Sequence, residues 1–283
     1  MYAVRSFIGC MLIVAMSAIS VRADTSAVPR FIDPGLVVNK ASLDGLVRLR
    51  FVTTLDFPPF NFADENKKPT GFNVDLARAI CENLDIAARC EIQAVPWEEL
   101  EGALEGRRAE AVIAGFDITP EFRERYDLSQ PYFRSPARFI ARNGSATEFS
   151  FETVSQTDTR VGVLSGSAHA AYIDEYFADA NVVRFPDTAP LYNAIQSGEV
   201  DYLFGDGISF SYWLAADVSQ GCCQLVGDPL LDARFFGRGM VVAVRAGETI
   251  LRESIDAALK ELEDDGTMET LFVRYFPINP FAN

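Results

Sequence analysis

The order of apolar and polar positions predicts alternating strands and helices over most of the chain. Residues 48–54 alternate and are rich in branched side chains, which is typical of a strand, and further strands are predicted at 90–95 and 111–115. Apolar residues at helical spacing predict helices at 72–84 and 97–105 between these strands. This β-α-β-α-β order favours a mostly parallel sheet with helices on its faces, as in an α/β fold.

The same alternation returns in the second half of the chain, so we predict two α/β lobes joined by two crossing segments. A strand at 139–142 is predicted to leave the first lobe and a strand at 239–245 to return to it. The other predicted elements are strands at 160–164, 182–185 and 201–204 and helices at 165–177, 191–198, 250–265 and 268–275. The predicted boundaries are 24–47 for an N-terminal extension, 48–142 plus 237–283 for lobe 1, and 143–236 for lobe 2.

The first 23 residues have the features of a cleaved signal peptide. Arg5 forms a short basic end, residues 7–21 are apolar, and the small residue Ala23 precedes the predicted cleavage site. The apolar run is shorter than the ~20 residues that a membrane-spanning helix needs. Cys10 precedes most of this run instead of following it, which argues against a lipid anchor. We therefore expect a protein secreted into a Gram-negative periplasm, where an outer membrane retains it.

The chain is strongly acidic, with 25 basic and 40 acidic residues and a formal charge of −15. Cleavage after residue 23 would remove two arginines and no acidic residue, which changes −15 to −17. Such a surface repels nucleic acid and anionic membranes, so neither is expected as a partner.

Cys81, Cys90, Cys222 and Cys223 remain after the predicted cleavage. An even number of cysteines in an oxidising compartment predicts disulfides. The adjacent Cys222 and Cys223 could form a vicinal disulfide or remain two thiols. The single histidine of the chain provides no Cys/His spacing for zinc, and neither a metal nor another cofactor is expected.

Short motifs are spread along the chain, and several of them lie after predicted strand ends, where ligands bind in open α/β sheets. They are Pro58-Pro59-Phe60, Gly71–Leu76, Ala114–Glu121, Leu128–Tyr132, Val161–Ser167, Asp265–Thr267 and Tyr275–Pro277. In this order and spacing they resemble the family 3 amino-acid-binding proteins of ABC transporters, from Leu49 to Pro277. The resemblance implies a two-lobed periplasmic binding protein of type II with its ligand cleft between the lobes. Such a protein would act as a monomer and deliver an amino acid or a derivative to an inner-membrane ABC permease.

The resemblance also implies the residues that bind the ligand backbone. Members of the family hold the ligand carboxylate with an arginine that follows the Ile-Thr-Pro-Glu stretch, which points to Arg123, because a planar guanidinium binds a carboxylate through two hydrogen bonds. The N–H groups of Ser167 and Ala168 would assist, because a helix N-terminus attracts anions. The ligand ammonium is implied to bind Asp206 and the backbone of Gly115.

The ligand side chain is implied to lie between the aromatic rings of Phe57 and Trp97. A finer resemblance is to the arginine-binding members, which share the stretch Gly115–Thr119 with its polar residues Asp117 and Thr119. An acid beside the site would favour a cationic side chain, and the two rings could add cation–π contacts of about 0.5–2 kcal/mol. We therefore predict a cationic ligand, with arginine first.

The sequence departs from the family pattern at two positions. The usual arginine comes three residues after the threonine, and that position is Phe122. Arg123 lies one residue further, about 100° round a helix, and Arg125 is a weaker candidate. A hydroxyl residue that is common after the Gly-Ser pair is replaced by Ala168.

Related binders of basic amino acids have a disulfide at the place of Cys81 and Cys90, so the resemblance implies that this pair is bonded.

Two other functions could use the same fold. An enzyme similar to cyclohexadienyl dehydratase needs an acid or base aimed at the ligand, a role open to Asp117 or His169. A ligand-presenting partner of a chemoreceptor or sensor kinase would use the same pocket. The sequence contains no nucleophile elbow, P-loop or metal motif, so we predict a binding protein without catalytic residues.

Overall fold

The computed structural model describes residues 28–38, 40–43, 45–144 and 149–282. The predicted signal peptide at 1–23, including Cys10, lies outside the described residues, as does the start of the predicted extension. Within the described ranges, no helix is long and apolar enough to cross a bilayer.

Strands and helices alternate along the chain, as the apolar pattern predicts. The strands are β1 (Leu49–Thr53), β2 (Asp56–Phe57), β3 (Asn61–Ala63), β4 (Pro69–Thr70), β5 (Cys90–Ala94), β6 (Ala111–Val112), β7 (Tyr126–Leu128), β8 (Ala137–Arg142), β9 (Arg160–Leu164), β10 (Asn181–Phe185), β11 (Tyr202–Asp206), β12 (Cys223–Leu230) and β13 (Ala243–Arg245). The helices are α1 (Phe72–Asn83), α2 (Leu100–Glu105), α3 (Pro120–Arg125), α4 (Phe151–Val154), α5 (Ala168–Tyr176), α6 (Thr188–Ser197), α7 (Gly207–Ala215), α8 (Thr249–Asp264) and α9 (Thr267–Tyr275). Short 3-10 helices cover Ala87–Arg89, Trp97–Glu99 and Asp217–Ser219.

The first sheet has the strand order β5-β1-β6-β13-β7. Strand β1 is parallel to β5 and β6, whereas β13 runs antiparallel to both of its neighbours. One core of buried side chains lies between this sheet and helices α1, α8 and α9, and a second lies on the face that α2 covers. The helices on both faces leave the carboxyl ends of β1, β5 and β6 as an open edge.

The second sheet has the order β10-β9-β11-β8-β12, with β9 parallel to β10 and β11 and β8 antiparallel to β11 and β12. Residues 137–142 were predicted to belong to the first lobe, but strand β8 pairs in the second sheet. The first crossing therefore ends before Ala137. An apolar strand pattern predicts the strand itself and contains no information about which sheet supplies its neighbours.

The first crossing segment covers residues 129–136 and the second covers residues 231–242. The two segments lie side by side and are joined by hydrogen bonds at Met240. The Met240 N–H donates to the carbonyl of Phe133 at 2.8 Å, and the Tyr132 N–H donates to the carbonyl of Met240 at 2.9 Å. Strand β13 is shorter than the predicted strand at 239–245, because the segment before it takes part in this junction.

The described part of the N-terminal extension lies against helix α8. Arg30 forms an ion pair with Asp264 at 2.8 Å, and the N–H groups of Phe31 and Ile32 donate to the Glu263 carboxylate. Ile32 is only 2% exposed and belongs to the core of the first lobe.

Cys81 and Cys90 form a disulfide, with Cα atoms 6.1 Å apart, that ties helix α1 to strand β5. Cys222 and Cys223, which the sequence left open, are also bonded to each other.

Candidate ligand-binding site

Phe57 and Gly115 meet at the carboxyl edge of the first sheet. The backbone of Gly115 has φ +91°, and a Cβ there would lie 2.7 Å from the Phe57 ring, so a larger residue would not fit. The Phe57 ring stacks on Phe60 with centroids 4.9 Å apart and is 38% exposed. The sequence therefore predicted two residues that the structure brings together. A ring that is packed on one side and exposed on the other is suited to contact a ligand.

Trp97 follows strand β5, at the next position along the same edge, and is 52% exposed. Its ring lies edge-on to Phe116, with centroids 4.9 Å apart. Phe116 in turn packs against Phe122, and Phe122 against Tyr126, at 4.6 and 4.7 Å. Phe122, which stands where the family has its arginine, is therefore part of an aromatic row that supports Trp97.

Asp117 links the first sheet to the second crossing through hydrogen bonds. Its Oδ1 accepts hydrogen bonds from the N–H groups of Arg238 and Gly239, at 2.8 and 2.9 Å. A Cβ on Gly237 would lie 2.6 Å from the other carboxylate oxygen, and Gly237 has φ +80°, so this tight approach requires glycine. The carboxylate thus lies at the strand end and is also a structural part of the crossing.

Thr119 is the N-cap of helix α3, and its Oγ1 accepts from the N–H of Phe122 at 3.2 Å. The exposed Arg123 borders a depression of about 320 Å³ with Asp127, Gln130 and Arg252, among other residues, beside the edge strand β7.

Arg125 contacts acidic residues on helix α2. It forms ion pairs with Glu101 and Glu105, at 2.5 and 2.9 Å. Its guanidinium is therefore already occupied, which argues against the weaker of the two arginine candidates.

In the second lobe, the start of helix α5 follows strand β9. The Ser167 hydroxyl accepts from the N–H of Ala170 at 3.1 Å and donates to the Leu164 carbonyl at 2.7 Å. The Ser167 N–H also donates to Leu164, at 3.3 Å. The N–H groups of Ala168 and His169 lie in the first helical turn, where no carbonyl of the helix can accept them, and they remain for an anion.

The imidazole of His169 packs as an aromatic side chain. It stacks on Phe236 with centroids 5.0 Å apart and lies edge-on to Phe204 at 5.6 Å. Burial lowers the pKa of His169, although the negative charge of Asp206 acts in the opposite direction. The ring is therefore neutral at neutral pH.

Asp206 ends strand β11 and caps helix α7. Its Oδ1 accepts from the N–H and the hydroxyl of Ser209, both at 2.7 Å, and its Oδ2 accepts from the hydroxyl of Ser135 in the first crossing. Neither helix α7 nor Ser135 was predicted from the sequence. An aspartate followed by an apolar run is a helix-start signal that could have identified the helix, whereas no local signal identifies Ser135.

Two α/β lobes joined by two crossings, with polar groups at the strand ends of both lobes, are the architecture of a two-lobed binding protein. The sequence profile of the bacterial extracellular solute-binding proteins, family 3, matches residues 49–278. The chain belongs to this family.

Its relatives include binding proteins for amino acids. The "Putative ABC transporter arginine-binding protein 2" of Escherichia coli (strain K12) is 34% identical over 229 residues, which are 81% of this chain and 90% of that protein. The solved structure of an ancestral cationic amino acid solute-binding protein has a TM-score of 0.60 at 25% identity and covers 81% of this chain and 96% of its own. An ancestral cyclohexadienyl dehydratase has a TM-score of 0.68 at 21% identity, covering 86% and 98%, so the same fold also occurs in an enzyme.

Proposed function

We propose that the protein binds a cationic amino acid, L-arginine first, in the periplasm of a Gram-negative bacterium and delivers it to an ABC permease. The observation that carries the proposal is the pairing of charge with aromatic surface at the strand ends. Asp117 and Asp206 supply carboxylates, and the exposed rings of Phe57 and Trp97 lie at the first-lobe edge. Carboxylates and ring faces both favour a cation. The names of the arginine-binding relatives agree with this choice.

Each part of the zwitterion has a candidate partner. The ligand ammonium would bind Asp206 with help from the Gly115 backbone. At the start of helix α5 the N–H of Ala168 would face the carboxylate, whereas the N–H of Ser167 already donates to the Leu164 carbonyl. The carboxylate also needs a guanidinium, for which the family motif indicates Arg123. Ion pairs formed in a cleft that excludes water are stronger than in solution, because the effective dielectric constant is lower.

We assign no catalytic residue. His169 packs against two phenylalanine rings, and Asp117 holds the backbone of the returning crossing. Both therefore have structural partners in place of the acid or base role that an enzyme would require. The relative among the dehydratases is similar at the level of the fold alone.

The first test is a thermal-shift titration of residues 24–283 with L-arginine, lysine, histidine, glutamine and glutamate. A ligand at 1,000 times its Kd adds about 4 kcal/mol to the free energy of unfolding. We expect the largest shift with L-arginine and none with glutamate. The absence of a shift with every amino acid would refute the proposal.

Asp206→Asn then tests the ammonium partner. Asparagine caps a helix as well as aspartate, so this variant should keep helix α7 and lose only the charge. Truncating one partner of a buried charge pair costs about 3–5 kcal/mol, so binding of L-arginine should weaken by at least about 100-fold. Asp85→Asn, which removes an exposed charge at the end of helix α1, is the control and should bind as the wild type does.

A further inference from the structure

Arg238 lies in the second crossing, next to the first-lobe part of the site. Its N–H donates to Asp117 at 2.8 Å, and Asp117 is only two residues beyond Gly115, on which the Phe57 ring rests. The side chain of Arg238 is exposed. Within the part of the chain that the structure describes, its guanidinium has no ion pair and no hydrogen-bond partner.

A second arginine, Arg134, lies beside it on the first crossing. A Cβ on Gly239 would lie 2.9 Å from the Cγ of Arg134, so this side chain lies directly against the residue that follows Arg238. The Nε of Arg134 is buried and has no hydrogen-bond partner among the described residues. The next residue, Ser135, donates to Asp206 at the second-lobe strand end.

The crossings therefore place two positive charges between the strand ends of the two lobes. The nearby carboxylates of Asp117 and Asp206 accept their hydrogen bonds from backbone N–H groups and from serine groups. The guanidinium of Arg238 and the Nε of Arg134 thus have no acceptor among the residues that the structure describes. A carboxylate is the acceptor that a guanidinium binds most strongly.

The position of Arg123 is less suitable for this role. The depression that Arg123 borders lies beside β7, at the edge of the first sheet, and β7 is separated from β6 by β13. Neighbouring strands are about 4.8 Å apart, so this edge is roughly 10 Å from β6, where Gly115 follows the strand. The position at which the family has its arginine is occupied by Phe122, whose ring packs against Phe116.

We propose that Arg238 binds the ligand carboxylate from the hinge, with the positive charge of Arg134 beside it. The inference rests on the proposed function, because it assumes a ligand that has a carboxylate. In this arrangement the ligand ammonium lies toward Asp206 and its carboxylate toward the crossings, so one zwitterion contacts both lobes and the hinge.

The test compares L-arginine with agmatine, which has the same guanidinium and amine but no carboxylate, by isothermal titration calorimetry. Loss of a hydrogen bond that involves a charged group corresponds to about 10- to 150-fold in affinity. Arg238→Gln should weaken L-arginine binding by this factor and leave agmatine binding within two-fold. Lys68→Gln, at an exposed lysine of the β3–β4 turn, removes the same charge and should change neither.

Four results would overturn the inference. The first is loss of L-arginine binding in Arg123→Gln together with retention in Arg238→Gln, which would assign the carboxylate to helix α3. The second is equal weakening of both ligands in Arg238→Gln, which would indicate a change of hinge geometry. If the wild type binds neither ligand, the proposed function fails, and this inference fails with it. If the wild type binds both ligands and Arg238→Gln changes neither, only the inference fails.

Discussion

Arg138 offers a sharp test of how the C-terminal tail contributes to stability. Its side chain is fully buried, at 0% exposure, at the start of strand β8. Its guanidinium donates to the carbonyls of Pro280 and Ala282 in the tail, at 2.8 and 2.7 Å, and to the carbonyl of Gly227 on strand β12, at 2.7 Å. Phe281 of the same tail belongs to the core of the first lobe. One side chain therefore joins the second sheet to a segment packed on the first.

Arg138→Met should keep most of the apolar packing and remove the three donors. Burial lowers the pKa of Arg138 to about 10, so the side chain is still charged at neutral pH. Each buried carbonyl that loses its donor costs about 1–3 kcal/mol. Relief of the buried charge and access of water to the tail offset part of this sum. We expect a net loss of about 3 kcal/mol, or roughly 6–12 °C in Tm for a chain of this size.

The measurement is urea unfolding followed by tryptophan fluorescence, with the free energy extrapolated linearly to water. Arg123→Met is the control, because it makes the same replacement at an exposed arginine, and it should change the free energy of unfolding by less than about 0.5 kcal/mol. If Arg138→Met proved as stable as this control, the three hydrogen bonds would contribute nothing, and the role of the arginine in holding the tail would be refuted.

Two further predictions follow from buried or strained positions. The single histidine, His169, should titrate below its ordinary pKa of 6.5, because burial disfavours the charged ring. The contribution of the neutral ring to the free energy of unfolding is then complete above pH 6.5 and is lost as the pH falls below that value. The titration of the single imidazole signal, followed by NMR, measures this pKa, and a midpoint at or above 6.5 would contradict the prediction. Gly71→Ala should destabilise the protein by more than about 2 kcal/mol, because Gly71 has φ +120° and its Cβ would lie 2.4 Å from a backbone carbonyl oxygen. In the same urea unfolding assay, Gly102→Ala in helix α2 should instead be neutral or stabilising, because a Cβ there meets nothing within 4 Å; equal effects of the two changes would refute the steric argument.

Local patterns predicted most of the elements, because the period of the apolar residues and the capping residues are properties of adjacent positions. Strand β9 lies at the predicted residues, and helix α9 ends at the predicted Tyr275. The sheet that contains strand β8 was assigned wrongly, because strand pairing depends on partners far along the chain. Helix α7 was missed because its residues are apolar on nearly every side, which hides the helical period.

The site was less predictable for the same reason. The resemblance to the family indicated Phe57 and Gly115 as site residues, and the two are in contact. The hydrogen bonds of Asp117 reach across 121 and 122 residues, and that of Asp206 to Ser135 across 71. The pattern of residues adjacent in sequence cannot predict pairs that are this far apart along the chain. Resemblance to a family therefore indicated which residues matter, and only the folded chain revealed what they already contact.

These long-range contacts suggest how binding is linked to movement of the lobes. Asp117 joins the first-lobe strand end to the second crossing, and Asp206 joins the second-lobe strand end to the first crossing. A ligand ammonium that binds either carboxylate would compete with, or add to, the hydrogen bonds that this carboxylate accepts from the crossings. A ligand can shift a conformational equilibrium only as far as its affinities for the two states differ. In the proposed site the two carboxylates that bind the ligand are also the groups that hold the crossings. On this proposal the difference in affinity arises where the ligand binds and requires no relay through the core of either lobe.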